Sequence, residues 1–377
     1  MTQALVVDDV PATVHLPDTV AVVMVSPQDD GFALALAGGI ADADVILVDQ
    51  ELDIDNAALS MRAPDGASLV AHFRSWARRE NLVLAPIVLI TSQEESYKLE
   101  VPAVGPPLPL GGSFRSREHR IAPTLDVEWL LWKEDPEFGA KAQEIGEAYR
   151  RATEVFGNGG ASFLELEALL ALPDVDWATR ARVHLARAQP PISEAAGQGG
   201  AFPARGPTAA LRWLLHRALP FPAVFLSDRF AAWSLGATVE SFVAWIDGPA
   251  SGEAHALVSG SVYGGVFERF LGRRWWTAGL DQAAWLLGQK TVELRDRTAA
   301  LGALSGGVLQ PLADNDMVVT WNDDFTECDV VPIADAVEVH PPGWPANALE
   351  PWMRRDEVQG DKILEALVDP DDRELQA

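Results

Sequence analysis

Asp44–Leu52 (DVILVDQEL) decides the fold: Val45–Val48 are apolar and mostly β-branched, and they run straight into an acid, Asp49. A short apolar run bounded by polar residues fits a strand buried on both faces, and such strands belong to parallel sheets. Working outward, similar runs recur at Ala4–Val7 (ALVV), Val20–Val25 (VAVVMV) and Ile87–Ile90 (IVLI), with a weaker fifth at Leu130–Trp132. Helical spacing lies between them. It is short in Phe32–Gly38 and clear in Ala67–Asn81, where Leu69, Val70, Phe73, Trp76 and Ala77 share a face. Strands alternating with helices predict an α/β domain with a doubly wound, parallel, five-stranded sheet.

Composition sets the bounds. The chain has 377 residues, is 48 % hydrophobic and 22 % charged, and so carries enough apolar material for one large or two medium cores. Its formal charge of −26 is evenly spread: residues 1–140 hold 22 acids and 9 bases, leaving 33 and 20 for the rest, which is −13 on each side. Neither part is a basic domain, which argues against a nucleic-acid partner held through phosphates. A lone thiol, Cys328, forms no internal disulfide and fits a reducing compartment. The first residues, MTQALVVDDV, have no basic and apolar leader, and no stretch reaches the roughly 18 apolar residues of a membrane span. A cytoplasmic protein without a membrane partner is the expectation.

From about Glu137 the spacing turns helical. Phe138, Ala142, Ile145, Tyr149, Ala152 and Phe156 define one amphipathic helix, closed by Gly157-Asn158-Gly159-Gly160. Further helices are predicted over 162–172, 176–189, 207–219, 228–246, 262–272 and 277–300. Loops are predicted at Pro102–Pro123 and Gln189–Pro207, both rich in Gly or Pro. Residues 307–340 alternate and carry Asn-Asp turns, as a small antiparallel sheet would. An acidic tail follows: from Asp356 on there are eight acids and two bases, with a short helix expected around Asp361–Val368.

The chemistry sits where an open parallel sheet places it, beyond the carboxyl ends of the strands. Asp8 and Asp9 follow the first strand, Asp49 the third, Thr91 the fourth and Lys133 the fifth. Three carboxylates in one crevice repel each other unless a divalent cation sits among them, and hard oxygen ligands suit Mg²⁺. A lysine and a hydroxyl opposite would hold phosphoryl oxygens, with an aspartate as nucleophile.

In these residues the chain resembles the receiver domain of two-component response regulators. ALVVDD (4–9), DVILVDQEL (44–52), Asp65-Gly66 before LVAHFRSWA, IVLITS (87–92) and WLLWK (129–133) carry the likeness over about a third of the chain. The resemblance implies a flavodoxin-like receiver over residues 1–136 and a mainly helical output or interaction domain over 137–377. It implies Asp49 as phosphoacceptor, with Asp8 and Asp9 as Mg²⁺ ligands helped by the Glu51 backbone carbonyl. Thr91 becomes the switch hydroxyl and Lys133 the phosphate-contacting lysine. A histidine kinase or small phosphodonor is the implied donor, and a protein partner of the second domain the implied output. The chain would then be a signalling phosphoprotein rather than an enzyme. Atypical receivers with long insertions also recur in bacterial conflict and phage-defence loci, so the resemblance implies that setting as one expectation. Three features depart from the family: only Val10–Thr19, with Pro11 and Pro17, joins the first two strands; Asp53–Pro64 extends the loop after Asp49; and the interval from Thr91 to Lys133 is long and Pro-rich.

Two other readings keep the fold. One is a phosphorylation-independent interaction module with the acids as a solvated rim. The other is DNA binding through Ser227–Ile246, which has helix-turn-helix spacing around Leu235-Gly236-Ala237 but no base between Val239 and Trp245. Elsewhere the second domain offers little chemistry. His184, His216, His255 and His340 are scattered without a metal-binding pair, and no phosphate loop is present. Trp213, Trp233, Trp245, Trp275, Trp276 and Trp285 read as core residues on helices. Arg269, Arg273 and Arg274 beside Trp275 and Trp276 read as an internal ion-paired cluster.

Overall fold

The structure, a computed structural model of the chain, describes residues 1–10, 14–29, 31–52, 65–80, 82–92, 118–157, 162–191, 206–249, 252–287, 308–314 and 316–369. The predicted loop extension at 53–64, most of 102–123 and of 189–207, the end of the 277–300 helix and the last tail residues lie outside them.

The five apolar runs are strands: β1 (Thr2–Val7), β2 (Val20–Val25), β3 (Val45–Asp49), β4 (Ile87–Thr91) and β5 (Trp129–Trp132). They form one all-parallel sheet in the order β2-β1-β3-β4-β5, so the α/β class holds. Strand side chains alternate between faces. Leu5, Val7, Ile46, Val48, Ile87, Leu89, Leu130 and Trp132 join one core with α1 (Phe32–Asp42) and α2 (Gly66–Glu80), through Phe32, Ile40, Leu69, Val70, Phe73 and Ala77. The alternate set, including Val6, Leu47, Val88 and Ile90, is fully buried as well.

The long amphipathic helix covers part of this second set. Numbering the short helix Glu118–Ile121 as α3, α4 (Phe138–Phe156) packs on β1, β3 and β5. Its approach is close: a Cβ on Gly146 would stand 2.4 Å from the Thr2 methyl. Residues 138–156 therefore cluster with the sheet, in a compact unit made of the described residues of 1–92, 118–169 and 191–216. That unit also contains α5 (Phe163–Leu169) and, beyond α6 (Ala178–Arg187), α7 (Gly206–Trp213), which packs on α4. Among the described residues no helix stands between β1 and β2, and edge strand β2 leaves Val22 and Met24 partly exposed, at 42 % and 38 %.

At the amino end of β5 a fully buried carboxylate, Glu128, ties several elements of this unit together. It accepts from the Ile87 backbone N–H, from Arg74 at 2.8 Å and from Arg212 at 2.5 Å, while Arg212 also pairs with Asp126 at 2.6 Å. Burying an acid is tolerable only when its charge is matched in this way.

The second compact unit holds, among the described residues, 170–190 and those from 217 to 369. Its described helices are α6, α8 (Asp228–Ser234), α9 (Val239–Asp247), α10 (Gly252–Ser259), α11 (Thr277–Leu287), α12 (Arg355–Val358) and α13 (Lys362–Glu365). Two sheets accompany them: β6 (Phe225–Ser227) pairs antiparallel with β7 (Arg274–Trp276), and four strands run β10-β11-β8-β9. These are β8 (Met317–Trp321), β9 (Glu327–Pro332), β10 (Ala336–Glu338) and β11 (Trp352–Arg354).

Several expectations for this half are corrected. The predicted antiparallel sheet is mixed, because β11 returns after a loop and pairs antiparallel with β10 but parallel with β8. Val308–Leu312 contributes an isolated bridge rather than a strand. The helix expected over 262–272 is a chain of turns: Gly272 and Phe267 have φ of 78° and 66°. Trp275 and Trp276 lie buried on a strand, not a helix, and Trp285 is 47 % exposed. The remaining core is nonetheless Trp-rich, with Trp245, Trp275 and Trp321 in one cluster with Phe230 and Phe242.

Candidate functional site

Because all five strands run the same way, their carboxyl ends share one edge of the sheet. β1 delivers Asp8 and Asp9, β3 ends on Asp49, β4 ends on Thr91 and β5 leads into Lys133. The backbone fixes these ends. Asp49 pairs with Ile90 and Thr91 with Trp132, and the Lys133 N–H donates to the Thr91 carbonyl at 2.9 Å. Helix α2 begins directly beneath: the Gly66 N–H donates to the Gln50 carbonyl at 3.0 Å, and a Cβ on Gly66 would stand 2.0 Å from the Asp49 carbonyl oxygen. The Asp65-Gly66 pair noted in the sequence thus seats α2 against the strand that carries Asp49.

The side chains converge. A ligand oxygen from each of Asp8, Asp9 and Asp49 lies within 4.8 Å of the others. The Lys133 ammonium bridges two of them, donating to Asp8 Oδ2 at 3.0 Å and Asp49 Oδ2 at 2.8 Å. Asp8 Oδ1 accepts from the Val10 N–H at 2.6 Å, which fixes that carboxylate. The Thr91 hydroxyl donates to Glu51 Oε1 at 2.5 Å. Asp8, Asp49 and Thr91 are buried. The long, Pro-rich interval before β5 therefore does not divert Lys133 from the crevice.

Two atoms stand out. Asp49 Oδ1 and Glu51 Oε2 are buried and accept no hydrogen bond. A buried carboxylate oxygen without a donor costs free energy that a cation would recover. Burial is the largest influence on Asp49 and pushes its carboxyl up to about 6, with the charges of Asp8 and Glu51 acting in the same direction and Lys133 against them. The Lys133 ammonium is itself held above its usual range by Asp49 and Asp8, despite burial. Among the described residues, one ammonium stands against four carboxylates in the crevice. An all-oxygen donor set with unpartnered atoms fits a hard divalent cation, Mg²⁺ foremost. Glu51, expected to offer only its backbone carbonyl, also brings a carboxylate. The even spacing Asp49-x-Glu51 was the sequence signal for it.

The other singled-out segment, Ser227–Ile246, does form two helices around the Leu235-Gly236-Ala237 turn, with Gly236 at φ 74°. Their inner residues Phe230, Leu235, Ala237, Phe242 and Trp245 belong to the core. Helix α9 presents Glu240 and Asp247 and no base. Arg273 pairs with Asp228 at 2.8 Å and Asp247 at 2.6 Å and lies over Trp275, and Arg274 donates to the Leu219 carbonyl. These two cations are spent inside the fold.

Among the described residues, no helix is long and apolar enough to cross a membrane. Compared with protein-family models, with curated proteins and with solved structures, the chain finds no match.

Proposed function

We propose that the first unit is an atypical receiver of flavodoxin-like topology that accepts a phosphoryl group on Asp49, and that the second unit is its output or interaction domain. The observation that carries this reading is the unpartnered Asp49 Oδ1, buried at the end of the central strand beside Asp8, Asp9 and Lys133. The strand order, reversing direction between β1 and β3, supports it, since open α/β sheets bind ligands at such switch points.

In this reading Asp49 is the nucleophile. Its carboxylate oxygen forms a bond to phosphorus while the bond to the donor's leaving group breaks, giving an acyl phosphate on Asp49. With the carboxyl at about 6, Asp49 is mostly ionised at neutral pH and able to attack. Lys133, already on Asp49, is placed to neutralise charge on the transferred group. Thr91 can exchange its Glu51 partner for a phosphoryl oxygen, which would carry the new charge of about −2 to the loop after β4. Asp8, Asp9, Asp49 and Glu51 would hold Mg²⁺, which when bound neutralises the phosphoryl oxygens and relieves carboxylate repulsion. A histidine kinase or a small phosphodonor would supply the group.

The test uses the full chain. Incubation with labelled acetyl phosphate and Mg²⁺ is expected to label the wild type and not Asp49→Asn, and chelation is expected to suppress labelling. Labelling that persists in Asp49→Asn refutes the assignment. A folded wild type that neither labels nor binds millimolar Mg²⁺ leaves the phosphorylation-independent module in its place.

A further inference from the structure

We propose that Glu338, His340 and Glu350, in the second unit, form a separate site for a divalent transition-metal ion of the Zn²⁺ class. Strands β10 and β11 pair antiparallel with Ala336 opposite Arg354, Val337 opposite Met353 and Glu338 opposite Trp352. Continuing that register sets His340 opposite Glu350, and the ladder does continue, because the Val339 N–H donates to the Pro351 carbonyl at 3.0 Å. Glu338 and His340, two apart, share a face, while the intervening Val339 is fully buried on the other. Two ligands at i and i+2 and a third directly across converge on one point.

Glu338 Oε1 is 3.7 Å from His340 Nε2 and Glu350 Oε2 is 3.9 Å from His340 Nδ1, so the two carboxylates flank opposite nitrogens of the ring. One ion takes only one of those nitrogens, and a single ligand atom from each of the three residues does lie within 4.8 Å of the others. Tetrahedral donors at bond lengths of 2.0–2.2 Å stand about 3.4 Å apart, so binding requires the carboxylate that faces the other nitrogen to swing toward the coordinating one. The backbone is already fixed. The His340 N–H donates to the Leu367 carbonyl at 2.8 Å, and the loop back to Glu350 is anchored by Trp344, whose indole donates to the Leu349 carbonyl at 3.0 Å and packs edge-on against Trp321 and Phe221. The ligands themselves are half-exposed and open to solvent, which leaves coordination positions for water.

The donor sets separate the two sites. Asp8, Asp9 and Asp49 offer only oxygen and suit Mg²⁺, whereas the imidazole of His340 favours Zn²⁺ or Co²⁺. The competing account of the same geometry is a protonated His340 paired with two carboxylates, without metal.

Titration of the full chain with Co²⁺ and Zn²⁺ in excess Mg²⁺, followed by calorimetry and by Co²⁺ visible absorption, decides between them. One saturable equivalent is expected in the wild type and in Asp49→Asn. Losing merely an outer partner of a ligand costs about 10–100-fold in affinity, so His340→Ala and the isosteric Glu350→Gln are each expected to cost about a hundredfold or more. Circular dichroism checks that both variants remain folded, and Glu350, being half-exposed, is the safer of the two. Three results overturn the proposal: no saturable equivalent, binding unchanged in folded Glu350→Gln and His340→Ala, or loss of binding in Asp49→Asn. The last two would mark an adventitious ion only.

Discussion

At the scale of single residues, Asp49 is an acid under strain from its surroundings, and the strain has a definite pH signature. Its carboxyl rises from 3.8 to about 6 on folding, so the folded chain holds that proton more tightly than the unfolded one. The contribution to stability is therefore fully present below about pH 3.8 and lost as pH rises past 6. After allowance for solvent screening this amounts to on the order of 1–2 kcal/mol. Without divalent ions, Asp49→Asn should gain on the wild type in urea midpoint between pH 4 and pH 7; a constant difference across that range would refute the perturbed carboxyl. Glu128 is the opposite case, a buried acid fully matched by Arg74 and Arg212. Glu128→Ala removes the buried carboxylate that Arg74 and Arg212 share, leaving them only the half-exposed Asp126, and is expected to cost about 3–5 kcal/mol in denaturant unfolding. Asp8, Asp9, Asp49, Thr91 and Lys133 were legible in the sequence because a polar residue ending an apolar strand is conspicuous. Glu128 was not, since nothing in its local sequence shows that Arg212, 84 residues away, reaches it.

Among elements, the seating of α2 on β3 rests on one missing side chain. Gly66→Ala would put a Cβ 2.0 Å from the Asp49 carbonyl oxygen, a backbone atom that cannot swing aside. The helix start must then shift, and a loss of about 2 kcal/mol or more is expected, together with weaker Mg²⁺ binding than in a surface control such as Ser75→Ala. Elements buried on both faces were readable because their apolar runs are short, largely β-branched and bounded by polar residues, which favours a strand over a buried helix. The segment 262–272 was not: Val266, Phe267, Phe270 and Leu271 have helical spacing, yet left-handed φ at Phe267 and Gly272 bends them into turns. Strands β6 and β7 are three residues each, too short for any period to register. β11 pairs in parallel with β8 only after a loop has carried it back, and such a pairing leaves no local trace.

For the molecule as a whole, α4 moves the practical boundary of the first unit. A fragment 1–136 would uncover the second sheet face, with Val6, Leu47, Val88 and Ile90. Such a fragment is expected to be unfolded or aggregated by circular dichroism and size exclusion, whereas one ending there with a sharp cooperative melt would contradict the role given to α4. The same sheet has a second consequence at its other margin. β2 is the edge of the sheet, no other described strand or helix covers that edge, and Val22 and Met24 are partly exposed there, which is a template for strand-to-strand association of copies. A net charge of −26 opposes such association through long-range repulsion. Colloidal behaviour should therefore follow charge: light scattering is expected to rise as pH approaches the isoelectric point near 4.5, and on adding salt at neutral pH, and to fall in Val22→Lys.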